Sequence, residues 1–203
     1  MIDLVFDPQD LKTLYLGSAN GLYKSSDSAA SWRYILSGIS IRDLDIDRLN
    51  SQIIYAAGIS SGNGKIIKSI DAGSSWVDIY TEPSKSNSVI GVEVSASSSS
   101  VGYAALGTGE LIRAMDSGST WQAMKNFGDK PVKITSTSGN VLYVLTSKNG
   151  LYKSTDQGLS WLQISKSLTE NSVITSFTNN DSISVSGFYD FSIDPRQFGV
   201  IYL

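Results

Sequence analysis

Apolar and polar residues alternate along this chain in short runs. Glycine, asparagine and serine stand at the joints, and no stretch carries the 3.6-residue period of a helix. The runs predict four groups of four β-strands. The first covers 2–6, 13–17, 21–25 and 31–36, and the second 41–47, 52–58, 64–69 and 75–80. The third covers 89–95, 100–106, 109–114 and 120–124, and the fourth 131–136, 140–146, 150–154 and 160–165. A tyrosine inside an apolar triplet marks each second strand: Leu14-Tyr15-Leu16, Ile54-Tyr55-Ala56, Gly102-Tyr103-Ala104 and Leu142-Tyr143-Val144. Ile201-Tyr202-Leu203 repeats the mark at the end of the chain.

The third and fourth strands of each group are joined by a recurrent turn. At its clearest it reads Ser154-Thr155-Asp156-Gln157-Gly158-Leu159-Ser160-Trp161. Its aspartates are Asp27, Asp71, Asp116 and Asp156, and each is followed five residues later by Trp32, Trp76, Trp121 or Trp161. An aspartate in a tight turn accepts hydrogen bonds from the N–H groups just downstream and ties the turn together. Gly73, Gly118 and Gly158 permit a left-handed backbone two residues on; Ala29 replaces them in the first copy, which predicts a strained or altered turn there. The tryptophan then leaves onto a strand, where its ring can be buried between neighbouring sheets. Three residues before each aspartate stands a basic residue: Lys24, Lys68, Arg113 or Lys153. These charges read as strand-face cations with packed stems.

The aspartates recur at spacings of 44, 45 and 40 residues. Periods near forty built from short strands indicate propeller blades. The turn resembles the Asp box, or BNR repeat, of sialidases, sortilin-type receptor ectodomains, xyloglucanase-type glycoside hydrolases and the photosystem II assembly-factor family. The expected fold is all-β: a β-propeller segment of four-stranded antiparallel blades at about 1–37, 38–82, 83–126 and 127–166. A Ser-, Thr- and Asn-rich insertion spans 167–187, and Phe191-Ser192-Ile193-Asp194-Pro195 restarts the pattern of Leu4-Val5-Phe6-Asp7-Pro8 in a partial blade at 188–203. Half a blade would leave a free pairing edge. The expectation is therefore a fragment of a larger propeller, with the remaining blades of the same chain as partners.

Composition narrows the chemistry. The chain has neither cysteine nor histidine, so it holds no disulfide, no thiolate or imidazole metal site and no histidine-based triad. No metal or cofactor is expected. A net charge of −3 and 17% charged residues give no basic footprint for nucleic acid. No apolar run approaches the ~20 residues of a membrane helix, and Met1-Ile2-Asp3-Leu4 does not read as a signal peptide. The resemblance implies an extracytoplasmic or secreted protein.

The box aspartates could be taken for paired acid/base carboxylates. They repeat in every blade, which fits a structural role, and the same holds for the four tryptophans. A sialidase would need a cluster of three arginines; Arg33, Arg42, Arg48, Arg113 and Arg196 fall mostly on strands or on the box face. The resemblance places ligands on the opposite face. The candidates there are Asn20, Asn63, Thr108, Lys148 and Asn149, with Phe127 and Tyr189 as sugar-stacking rings. The reading is a non-catalytic recognition scaffold that binds protein or glycan through this loop face. The alternative is a xyloglucanase-type hydrolase, whose inverting carboxylates would stand ~6.5–9.5 Å apart and lie partly outside this segment.

Overall fold

The computed structural model describes residues 3–85 and 87–164 and two short strands further on, Ser192–Ile193 and Ile201–Tyr202, which pair antiparallel. The insertion at 167–187 and Tyr189 lie outside the described residues, as does the rest of the partial blade. Sixteen strands precede that pair and no helix occurs among the described residues. They are β1 (Asp3–Phe6), β2 (Leu14–Ser18), β3 (Gly21–Ser25), β4 (Arg33–Ser37), β5 (Ser40–Ile46), β6 (Ile54–Ser60), β7 (Asn63–Ser69) and β8 (Val77–Thr81). There follow β9 (Val89–Val94), β10 (Gly102–Leu106), β11 (Glu110–Ala114), β12 (Gln122–Asn126), β13 (Pro131–Thr137), β14 (Val141–Thr146), β15 (Gly150–Ser154) and β16 (Leu162–Gln163).

Each set of four makes one antiparallel meander in sequence order. The connections are short, so within each set every strand pairs with the next one along the chain. The fourth strands begin later than the alternation predicts: β4 starts at Arg33, not Ser31. Ser31 is still part of the turn, because its N–H and hydroxyl both bond back to Asp27.

The first strands of successive sheets lie side by side, β1 against β5, β5 against β9 and β9 against β13. Each sheet thus runs outward from an inner strand to an exposed outer one, and the core is not one mass but three layers between sheets. Between sheets 1 and 2 lie Tyr15, Leu22, Ile41, Leu44, Ile54 and Ile67, with Trp76 against them. Between sheets 2 and 3 lie Tyr55, Ile66, Val92, Val94, Leu106 and Ile112, with Trp121. Between sheets 3 and 4 lie Tyr103, Leu111, Phe127, Ile134, Leu142 and Val144, with Trp161. Among the described residues none covers the equivalent outer face of sheet 1, and Leu4, Phe6, Trp32 and Tyr34 are exposed there.

Candidate functional site

The recurrent aspartates serve the turns that carry them. Oδ1 of Asp27, Asp71, Asp116 and Asp156 accepts the N–H of Ser31, Ser75, Thr120 and Ser160 at 2.8–2.9 Å. The hydroxyls of the same four residues donate to Oδ2. Ser25, Ser69 and Ser154 donate a further hydroxyl bond to Oδ1, while their Oγ accepts the N–H of Ala29, Gly73 and Gly158. The hydroxyls of Ser31, Ser75 and Ser160 lead in holding the carboxyls of Asp27, Asp71 and Asp156 down at about 2. Asp116 is lowered too, led by Thr120, but Ala114 stands where the other turns have serine. These carboxylates are ionised and spent on the backbone, so none is free for proton transfer.

The first turn is the same turn, not an altered one. Ser28 and Ala29 take φ of 60° and 70°, matching the positive φ of Ala72-Gly73, Ser117-Gly118 and Gln157-Gly158. Ala29 is exposed there, and its φ of 70° carries the strain that glycine avoids in the other three turns. At Gly118 a Cβ would come within 2.7 Å of Ile79 Cδ1 of the preceding sheet, so packing as well as φ demands glycine there.

The basic residues do more than cover strand faces. Lys24 Nζ donates to the Ala72 carbonyl at 3.0 Å, Lys68 Nζ to Ser117 at 2.9 Å and Arg113 Nη1 to Gln157 at 3.0 Å. Each acceptor follows the aspartate of the next sheet's turn. The Tyr15 hydroxyl joins Lys24 on the Ala72 carbonyl, and Lys24 and Lys68 lie 5.2 and 5.0 Å over the rings of Tyr15 and Tyr55. Tyrosine, cation and turn are one clamp between neighbouring sheets, a link that spacing along one repeat does not show.

A second link runs along the inner strands. Asp3 accepts the N–H of Leu44 at 2.8 Å; Asp43 and Asp45 accept those of Val92 and Val94 at 2.7 and 2.6 Å. Glu93 accepts both the N–H and the hydroxyl of Ser136 at 2.7 Å. Each carboxylate thereby satisfies edge N–H groups that the sheet's own ladder leaves unpaired. Burial pushes Asp43 and Asp45 well up, and raises Glu93 to about 7 even though Ser136 and Arg48, at 3.8 Å, pull it down. Sequence reasoning passed over these residues; the signal was Asp43, Asp45 and Glu93 standing among the buried apolar residues of first strands.

The loop-face candidates do not form one site. Thr108 is exposed and opens onto a cleft of about 430 Å³ with Lys85, Asn87, Ser88, Gly107 and Lys130. Lys148 and Asn149 are exposed, and their N–H groups hold Asp129 Oδ2 at 2.6 and 2.9 Å. Burial alone would raise Asp129; those two N–H groups and the Ser147 hydroxyl keep it below the usual carboxylate range. The Asn63 side-chain amide donates to the Glu82 carbonyl, and Asn20 is a turn residue whose carbonyl accepts the Tyr34 hydroxyl. Phe127 corrects the expectation: it is only 6% exposed, its ring 4.9 Å from Tyr152 and 5.2 Å from Trp161. It belongs to the core and offers no platform for a sugar. Tyr189 lies outside the described residues.

Four meanders set side by side by their first strands, with layers of core between them, are blades around an axis. The chain has a β-propeller fold. Solved structures agree. The chain matches the GH74 xyloglucanase from Xanthomonas campestris at 17% identity and TM-score 0.64 over 82% of its own length and 30% of that protein's. It matches YCF48 bound to D1 peptide at 17% identity and TM-score 0.59, covering 78% of itself and 51% of that chain. A chain of the nidogen/laminin complex matches at 14% identity and TM-score 0.61, over 74% and 60%. The chain thus spans between 30% and 60% of the length of these proteins. No protein-family model and no curated protein sequence matches the chain.

Proposed function

We propose that this propeller is a non-catalytic, extracytoplasmic recognition scaffold that binds a protein partner through its loop face, with turns of the Asp-box type holding its blades. The observation that carries the reading is the division of labour between the faces. On the turn face every recurrent aspartate is consumed by its own turn. On the loop face, Lys85, Thr108 and Lys130 are exposed around an open cleft. The likeness to YCF48 bound to D1 peptide and to a nidogen/laminin chain supports a protein over a glycan as partner.

The hydrolase reading draws support from the xyloglucanase likeness and from Glu93, whose raised carboxyl has the character of a general acid. Against it, Glu93 and its neighbour Asp45 are committed to the backbone of the next blade. Incubation of the protein with a panel of β-glucans and sialosides tests the two. No turnover is expected; turnover abolished by Glu93→Gln or by one loop-face carboxylate substitution would overturn the scaffold reading.

A further inference from the structure

Two lysines and no acid stand among the described residues that line the cleft beside Thr108. The ion pairs among the described residues are Arg48–Glu93 and Lys65–Asp78, and neither involves Lys85 or Lys130. The acids next to these lysines in the chain are already engaged. Asp129 accepts from Lys148, Asn149 and Ser147, and Glu82 accepts the Tyr80 hydroxyl at 2.7 Å and the Ser84 N–H at 3.4 Å. Asn87, Ser88 and Thr108 add neutral polar side chains to the lining.

The walls are held by the backbone. Gly107 N–H donates to the Ser88 carbonyl at 2.8 Å, Gly64 N–H to Asn87 at 3.0 Å and Ser147 N–H to Lys130 at 2.9 Å. Glycine keeps the floor clear: a Cβ on Gly107 would stand 3.0 Å from Ser88 Oγ and 3.2 Å from Asn87 Oδ1. The arrangement is a preset opening with two exposed lysines in its lining, and a fixed site costs less ordering when a ligand enters. Two like charges in a concave polar setting concentrate anions, and the effect falls with ionic strength.

We propose, on the scaffold reading above, that the cleft lined by Lys85, Ser88, Thr108 and Lys130 binds an acidic segment of a protein partner through its carboxylates. No aromatic side chain is among the described residues that line the cleft, so a sugar ring finds no apolar face to stack on among them. That favours an acidic peptide over an acidic polysaccharide.

The test is a fluorescence-anisotropy titration of the full chain with a labelled hexaglutamate peptide, at low and at high salt. Binding at low salt that weakens with salt is expected. Lys85→Ala and Lys130→Ala each weaken it about threefold, and the double variant about tenfold. Lys12→Ala, an exposed residue on the other face, leaves it unchanged. Gly107→Val keeps both lysines and narrows the floor, and it also weakens binding. Absence of binding at low salt, or equal binding by the double variant, overturns the proposal. So does lysine-dependent binding of polygalacturonate without binding of the peptide. Turnover of a β-glucan by the same samples would overturn the scaffold reading whichever way the titration falls. With neither turnover nor peptide binding, the acidic-peptide assignment alone fails.

Discussion

One serine separates the third turn from the other three. Ser25, Ser69 and Ser154 are buried and bridge the aspartate to an N–H four residues ahead of the serine; Ala114 is equally buried and bridges nothing. Ala114→Ser is therefore expected to stabilise the protein by about 1 kcal/mol, the net worth of a buried hydrogen bond. It should also draw the Asp116 carboxyl down to join its three counterparts. Urea titration checks the first expectation and an NMR pH titration of Asp116 the second. An unchanged midpoint would mean that the new hydroxyl finds no partner. The aspartates themselves were legible one residue at a time, because a turn is a local structure and its bonds span four residues or fewer.

At the scale of elements, each blade is completed by its neighbour. Trp76, Trp121 and Trp161 pack into the layer shared with the preceding blade, whereas Trp32 is 37% exposed on the outer face of the first. Trp121→Ala should cost about 3 kcal/mol, the lower part of the range for a large aromatic in a core. Trp32→Ala should cost about 1 kcal/mol or less, since surface truncations are mild. Equal losses in denaturant titrations would contradict the layered core. The strand pattern revealed where the blades are because alternation is a property of each strand. It did not reveal the clamp from Lys24 to Ala72 or from Arg113 to Gln157, because these bonds join residues 48 and 44 apart in the chain.

Two sets of carboxylates pull the stability of the whole molecule in opposite directions. The turn aspartates sit below their ordinary value of 3.8, so their contribution is present above it and is lost as pH falls toward 2. Glu93 sits above its ordinary value of 4.5, so the folded state keeps a proton the unfolded chain has released. Its contribution is full below 4.5 and declines as pH rises through about 7. Asp43 and Asp45 act in the same sense as Glu93. Urea midpoints should peak on the acidic side of neutrality and decline toward pH 8, and Glu93→Gln should flatten that decline; a flat profile for the native protein would refute it. The sequence by itself determined the β class, the four repeats and the turns, because period-2 alternation and Asp-centred turns are encoded within a few residues. Only the tertiary structure decided that Phe127 is core, that Asp43, Asp45 and Glu93 join blades, and that Lys85, Thr108 and Lys130 share one cleft. Those facts depend on which residues distant in the chain are brought side by side, and the packing of blade on blade settles that.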